Sequence, residues 1–468
     1  MCSRRVGSRW WAVSEFVQGA CRHSNRRLAS RLRRTLANVE REIAAKAPGG
    51  ELKRFFRPND GQDFELKKGD RIVVCTNGLP PGGAERQWVY LAQSLSAIGY
   101  NVSFVTFSPL VGVNAHYLPL LKSFRVPLLD ASMLSDVDVH RSVPKLRYLK
   151  ALVAATGTEL PADLLRIIAA FSLARPKVVF AQLDDPNLLC GIAGRFCSVP
   201  RVIVSFRNYN PTHFDWIYRD WYLACYRLLA RSGAIRFTGN SRAANRDYAD
   251  WIGIARERVH YLPNVVDPAS FSMPDDSEIE DLRRGLGIGP DAPVLLGAFR
   301  LFPEKDPYTF MDVVRRVQAA LPDLKVLVAG FGPMREALEK RVAEYELDES
   351  VVFLGSRQDM NKLMRLADVV LLTSIKEGMS NVILEAQLMG TPVVGTAIPG
   401  IADVARHDDT GYLRPVKDVE GLAAACIRLL TDKSLATAMG DNGRRHVLEN
   451  FSNAALESRL REVLYSGM

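Results

Sequence analysis

No stretch of this 468-residue chain holds the roughly eighteen apolar residues that cross a bilayer, and its amino terminus lacks the uninterrupted apolar block of a secretory signal. A soluble body is expected. Cysteine is sparse: the seven present (Cys2, Cys21, Cys75, Cys190, Cys197, Cys225, Cys426) are odd in number, scattered and without metal-type pairing. That pattern points to reduced thiols in a cytosol, with neither disulfides nor structural zinc. Gly82-Gly83 is not followed by Lys-Ser or Lys-Thr, which excludes a phosphate loop of the Gly-x-x-x-x-Gly-Lys-Ser/Thr kind. The same loop lacks Gly-x-Gly-x-x-Gly spacing and a credible acidic ribose partner, which argues against a dinucleotide oxidoreductase. Acidic residues are scarce at one end: residues 1–46 hold eleven Lys and Arg against three Glu, whereas the rest of the chain, of net charge +9 in all, is nearly neutral.

Within that basic stretch Leu28, Leu32, Leu36, Val39 and Ile43 recur at helical spacing with arginines between them, as in a basic amphipathic helix. Two readings fit it, a helix lying on anionic lipid and a solvated helix packing its leucines on the main body. An Arg-rich organellar transit peptide is a third. Trp10, Trp11, Phe16 and Val17 beside the arginines suit headgroup depth and favour the membrane. Nucleic acid is not expected as a partner.

With 47% hydrophobic residues the chain is too long for one ordinary core and suits two domains. A polar stretch around residues 47–70 leads into a β-branched run, 71–76, then a glycine loop at 77–83 and a helix on which Trp88, Leu91, Ala92 and Leu95 share a face. Further strands are expected at 101–107, 178–181, 202–205 and 236–239, separated by helices. The pattern restarts with strands at 293–297, 325–329, 351–354, 369–372 and 392–395 and helices near 308–320, 334–345 and 421–430. Such alternation makes parallel sheets with helices on both faces. The organisation is therefore a basic extension (1–69), a first Rossmann-like domain (70–265), a linker rich in Asp, Pro and Ser (266–292), a second Rossmann-like domain (293–440), and closing helices (441–468) packing back toward the first domain. Residues 110–170 are the least legible, a helical excursion. Two doubly wound α/β domains side by side put the carboxyl ends of both sheets around one cleft.

Several residue groups fall at those carboxyl ends. Gly82-Gly83-Ala84-Glu85-Arg86 opens a helix after a strand, so amide groups and the positive helix end can hold a phosphate, or the glycines simply make a tight turn. Arg300 and Lys305 follow the first strand of the second half, and two cations in one loop suit a diphosphate whose charge grows as a bond to it breaks. Gly330 and Gly332 end the next strand, where a ligand can approach the backbone or the chain can turn. The most informative stretch is 375–394, IKEGMSNVILEAQLMGTPVV. Ser380 or Asn381 is a good N-cap, so amides of Gly378, Met379, Ser380, Asn381 and Val382 would point at an anion over the helix start. Glu377 can accept sugar hydroxyls, and Glu385, two turns on, can reach a vicinal diol such as a ribose. Asp184-Asp185-Pro186 and Asp408-Asp409 read as a loop and a turn, and no obvious Asp-x-Asp site falls in the cleft, so neither metal nor cofactor is expected.

Together these elements resemble the large retaining glycosyltransferase family of the GT-B fold, the glycosyl transferases group 1 of family 4 type, found in bacterial polysaccharide, glycolipid and lipopolysaccharide assembly. The resemblance covers roughly residues 70–450 and implies that 70–265 is the acceptor domain and 293–440 the nucleotide-sugar domain. It rests on Glu377-Gly378 through Glu385 with Pro392-Val393-Val394, Arg300 with Lys305, Gly330-Phe331-Gly332-Pro333, and Asn240-Ser241 with Leu262-Pro263-Asn264-Val265-Val266-Asp267. It implies that Arg300 and Lys305 bind the donor diphosphate, Glu377 the transferred sugar and Glu385 the nucleotide ribose. Gly82 and Gly83 would lie near the donor phosphate and the acceptor. Glu85, Asn208, Asn240 and Asn264 would face the acceptor or the cleft. Many members carry a histidine where this chain has Arg207-Asn208 after 202–206; an arginine cannot act as a base at neutral pH but can stabilise a leaving group. His213 nearby reads as structural.

The implied activity is retaining, metal-independent transfer of a hexose or N-acetylhexosamine from a nucleotide sugar, a UDP-sugar in the first instance, to a lipid-linked or polysaccharide acceptor. The place is the cytoplasm, at the inner face of the cell membrane, with residues 1–46 as the peripheral contact. An epimerase of the same architecture would need no acceptor. A sugar-nucleotide sensor or scaffold would bind without turnover.

Overall fold

The computed structural model describes residues 64–135, 162–214, 217–219, 221–266, 268 and 271–465. The expected basic helix of residues 1–46 lies outside these, as do residues 136–161 of the segment that is hardest to read.

The first half forms a parallel seven-stranded sheet from β1 (Arg71–Thr76), β2 (Asn101–Thr106), β3 (Leu128–Asp130), β4 (Val178–Gln182), β5 (Arg201–Phe206), β6 (Ile235–Gly239) and β7 (Val259–Tyr261). Its order is β3-β2-β1-β4-β5-β6-β7. The strands are apolar runs because both faces are covered. Val73 and Cys75 enter the core on one side of the sheet while Ile72 and Val74 enter the core on the other. The helices that shape the cleft here are α1 (Gly83–Ile98), α2 (Asp184–Phe196), α3 (Tyr222–Leu229) and α4 (Arg242–Ile252).

The second half repeats the plan with six strands, β8 (Val294–Ala298), β9 (Lys325–Ala329), β10 (Val351–Gly355), β11 (Val369–Leu372), β12 (Val393–Thr396) and β13 (Gly411–Arg414), in the order β10-β9-β8-β11-β12-β13. The segment expected to be a plain linker contains α5 (Asp276–Gly285). Asp275 and Glu278 close a reciprocal capping box at its start, and Ile279, Leu282 and Leu286 pack on the second core. Helices α6 (Pro307–Ala320) and α7 (Asn381–Leu388) follow β8 and β11. Both strand orders reverse once, between β1 and β4 and between β8 and β11, and such switch points leave a crevice at the carboxyl ends.

No element boundary falls at residue 440, because α8 (Lys433–Asn450) runs through it on the second domain. The chain then crosses over, and α9 (Asn453–Tyr465) places Leu456, Leu460, Val463 and Leu464 in the core of the first domain. At the crossing, Val266 N donates to Phe451 O at 2.9 Å, so the outgoing and returning segments are joined to each other. The five cysteines among the described residues are free thiols, four of them buried. No helix among the described residues is long and apolar enough to cross a membrane.

Candidate active site

The loops after β1, β4, β5, β8 and β11 enclose a cleft of about 570 Å³ between the domains. On the first-domain wall, Gly82 is the extended N-cap of α1, with φ −148° and no side chain to cap the helix, and the Glu85 carboxylate lies against it, 2.0 Å from where a Cβ would be. Glu85 stands in the first turn of α1; burial pushes its carboxyl above the ordinary value, with its own backbone N–H and the charges of Arg207 and Arg300 opposing. Arg207 follows β5. Burial pulls its guanidinium down to about 10, against the attraction of Glu85, so it stays protonated at neutral pH. Its Nη2 donates to Asn264 Oδ1 at 2.6 Å, and Trp88 lies 5.4 Å away with its ring toward the charge. Asn240 Nδ2 donates to the same Asn264 oxygen at 3.2 Å.

On the second-domain wall, Lys305 Nζ sits 2.6 Å from Glu377 Oε1, which also accepts from Ser374 Oγ at 2.8 Å. The loops that carry this pair are tied together: Thr373 Oγ1 donates to the carbonyls of Lys305 and Asp306 at 3.1 and 3.0 Å, and Ile375 N donates to Glu304 O at 2.9 Å. Arg300 is half exposed and pairs with Glu304 at 3.0 Å. Ser380 caps α7, its Oγ accepting from Ile383 N at 3.4 Å. Gly378 is required by proximity, since a Cβ there would lie 2.2 Å from the Arg207 carbonyl of the other domain. Direct contacts span the cleft floor: Asn264 Nδ2 donates to Asn381 Oδ1 at 2.5 Å, and Asn381 Nδ2 to Gly83 O at 3.1 Å.

The cleft thus brings together Gly82, Gly83, Glu85, Arg207, Asn208, Asn240, Asn264, Arg300, Lys305, Glu377 and the run Gly378–Val382. Three candidates fall outside its lining. Gly330 has φ +145°, and a Cβ there would lie 1.9 Å from Phe299 O, while one on Gly332 would lie 2.4 Å from Leu301 O. Both glycines let the β9 turn press against the backbone that carries Arg300, and Leu301 N donates to Phe331 O at 2.9 Å. Glu385, expected to face a ribose, is instead buried, with 3% of its side chain exposed, and forms an ion pair with Arg86 of α1. Burial lowers Arg86, but the Glu385 charge, with lesser contributions from Tyr90 and Tyr117, leaves it above its ordinary value, while burial raises the Glu385 carboxyl against the opposing charge and hydrogen bond of Arg86. His213 pairs with Asp247 at 3.0 Å and does not line the cleft. Asp408-Asp409 does form a turn, but Asp184 and Asp185 begin α2 and line the cleft together with Tyr209, Tyr222 and Tyr248. Those residues were missed; their sequence signal is an acid directly after a strand's carboxyl end. Among the described residues, no three His, Cys, Asp or Glu side chains gather as a metal site.

Profiles of two families match the two domains, Glycosyltransferase Family 4 over residues 81–270 and Glycosyl transferases group 1 over residues 278–446. The chain belongs to the group 1 glycosyltransferases. This glycosyltransferase is 22% identical over 386 residues to the Vi polysaccharide biosynthesis protein VipC/TviE of Salmonella typhi, covering 80% of the chain and 67% of that protein. It is 22% identical over 383 residues to the UDP-Gal:alpha-D-GlcNAc-diphosphoundecaprenol alpha-1,3-galactosyltransferase of Escherichia coli, covering 76% of the chain and 97% of that enzyme. Other matches are closer but shorter, and with them the chain spans about half the length of the curated relative, 49% in one case at 36% identity. The crystal structure of Anabaena HepE in complex with UDP and glucose superposes with a TM-score of 0.67 at 20% identity, over 85% of this chain and all of that one. The fold is GT-B.

Proposed function

We propose that this glycosyltransferase moves a hexose or N-acetylhexosamine from a UDP-sugar to a lipid-linked or polysaccharide acceptor of cell-surface glycan assembly, with retention of anomeric configuration and without a metal ion. The observation that carries this reading is the Lys305–Glu377 pair, held by Ser374 beside Arg300 at the cleft. A diphosphate gains charge as the bond from the sugar C1 to its oxygen breaks, and Arg300 and Lys305 supply fixed positive charge where that occurs. Glu377 is placed to accept hydroxyls of the sugar. The amides opening α7 add further donors for the phosphate. The acceptor oxygen attacks C1 on the face the diphosphate leaves, and the departing phosphate oxygen takes the acceptor's proton. No protein nucleophile is needed, and Arg207 contributes charge in place of a base. The protein then works by orientation and by charge stabilisation.

Two relatives support the acceptor class, one named for Vi polysaccharide biosynthesis and one for a diphosphoundecaprenol-linked sugar. UDP with glucose in the HepE structure supports the donor class. Purified protein with UDP-, GDP- and ADP-sugars, with and without lipid-linked glycan extract, tests the reading: one nucleotide should be released only with extract present, and EDTA should leave the rate unchanged. Binding without release for every donor would overturn it in favour of a sensor. Residues 1–46 bring the enzyme to the inner membrane face in this reading, so their removal should reduce sedimentation with anionic vesicles, and unchanged sedimentation would remove the membrane contact.

A further inference from the structure

The first-domain wall holds groups that the donor chemistry leaves unused. β4 ends at Gln182, and Leu183 follows with φ +66° and ψ 161°, a left-handed φ that a branched residue adopts only under constraint. The turn is pinned to β5, since Asn187 Nδ2 donates to Ser205 O and Ser205 N to Asn187 Oδ1, each at 3.0 Å. It delivers Asp184, only 9% exposed, and Asp185 to the cleft. Asp184 Oδ1 accepts from Tyr226 at 2.8 Å and Tyr248 at 2.9 Å, and Asp185 Oδ1 accepts from Tyr222 at 2.6 Å. Asp184 Oδ2 has no hydrogen-bond partner among the described residues, and no lysine or arginine there pairs with the carboxylate.

A carboxylate nine-tenths buried without a cation is costly to maintain. A group serving the core alone would have both oxygens satisfied or would be neutral. Here one oxygen is spent on two tyrosines that fix its direction, and the other is left at the cleft wall. What suits that oxygen is a neutral hydrogen-bond donor, and Ile217 and Tyr209 on the same wall offer apolar surface for the C–H face of a ring. A sugar ring has both features. We infer that Asp184 and Asp185, oriented by Tyr222, Tyr226 and Tyr248, form a subsite for a hydroxyl-bearing pyranose ring of the acceptor, across the cleft from Arg300, Lys305 and Glu377. This rests on the cleft being a site of glycosyl transfer. The two carboxylates are positioning groups, accepting hydroxyl protons without removing them, so that one remaining hydroxyl is presented to the donor sugar.

Burial lifts Asp184 to about 6, with the Tyr226 and Tyr248 hydroxyls opposing and the Asp185 charge adding to the rise. At neutral pH the carboxylate is ionised and accepts; below 6 it gains a proton and the subsite loses an acceptor.

The test is binding of methyl α- and β-glucoside, galactoside, mannoside and N-acetylglucosaminide to the full chain by saturation-transfer NMR, with UDP affinity measured in parallel. At least one glycoside should bind the wild type, and Asp184→Asn should weaken it by about tenfold or more while UDP affinity and melting temperature do not fall. Tyr222→Phe should weaken it by a smaller factor. Lowering the pH from 7.5 to 5 should weaken binding in the wild type but not in Asp184→Asn. The signal should persist in Glu377→Ala, which separates this wall from the donor sugar's place. Absence of glycoside binding, equal binding by Asp184→Asn, or loss of signal in Glu377→Ala would each overturn the subsite. Glycoside binding reads the subsite without any donor turnover, so a failed nucleotide-release assay alone leaves this result standing and counts against the transfer reaction.

Discussion

Lys305, Glu377 and Ser374 form a short chain of contacts in which one carboxylate oxygen satisfies both an ammonium and a hydroxyl, which fixes the orientation of Glu377 at the cleft. Replacing Arg300 or Lys305 with Ala should lower kcat by on the order of a hundredfold in steady-state nucleotide release, and an effect confined to acceptor KM would take them away from the diphosphate. Glu377→Ala should abolish turnover with UDP binding largely kept. Asp184 gives a different prediction, on stability. Its folded value of about 6 lies above the usual 3.8, so its favourable contribution is complete at low pH and is lost as pH rises through 6. At pH 7.5 the buried charge costs on the order of 3 kcal/mol, so Asp184→Asn should be more stable than wild type there, with the difference shrinking as pH falls below 6 and gone only well below the ordinary 3.8, at about pH 3, in denaturant unfolding. The positions of Arg300, Lys305 and Glu377 at the cleft were legible in the sequence because each lies within a few residues of a strand end. Glu385 and Asp184 were not, since Arg86 is 299 residues from the one, and Tyr226 and Tyr248 are 42 and 64 residues from the other.

Strands with both faces covered were legible for a physical reason: runs such as Val369–Leu372 have no polar face to blur them. The missed strands β3, β7 and β13 are three or four residues long and lie at sheet edges, too short for any period to show. Helix α5 was hidden by the Asp, Pro and Ser around it, although its Asp275-x-x-Glu278 box was readable. The β9 turn carries the element-scale prediction. Gly330→Ala forces Phe299 O away from a Cβ it would meet at 1.9 Å, and does so at φ +145°. The expected cost is about 1–3 kcal/mol in denaturant unfolding, with activity falling as in Arg300→Ala because the same backbone carries that guanidinium. Normal activity in a folded Gly330→Ala would show that the Arg300 loop tolerates displacement.

Across the whole molecule each domain keeps its own core, and polar contacts such as Asn264–Asn381 and Arg86–Glu385 join them at the cleft. The buried Arg86–Glu385 pair is the most consequential, because Arg86→Ala leaves an uncompensated carboxylate at the seam. A loss of about 3 kcal/mol is expected, partly restored as pH falls and Glu385 takes a proton, and read by unfolding at pH 5 and 8. A pH-independent loss would mean that missing packing, not charge, dominates. The hydrogen bond between Val266 and Phe451 has another consequence. The polypeptide passes between the domains twice, and this bond ties one passage to the other, so neither connection can shift without the other. Asn264 lies only two residues before Val266, so its contact with Asn381 on the cleft floor is anchored from the same place.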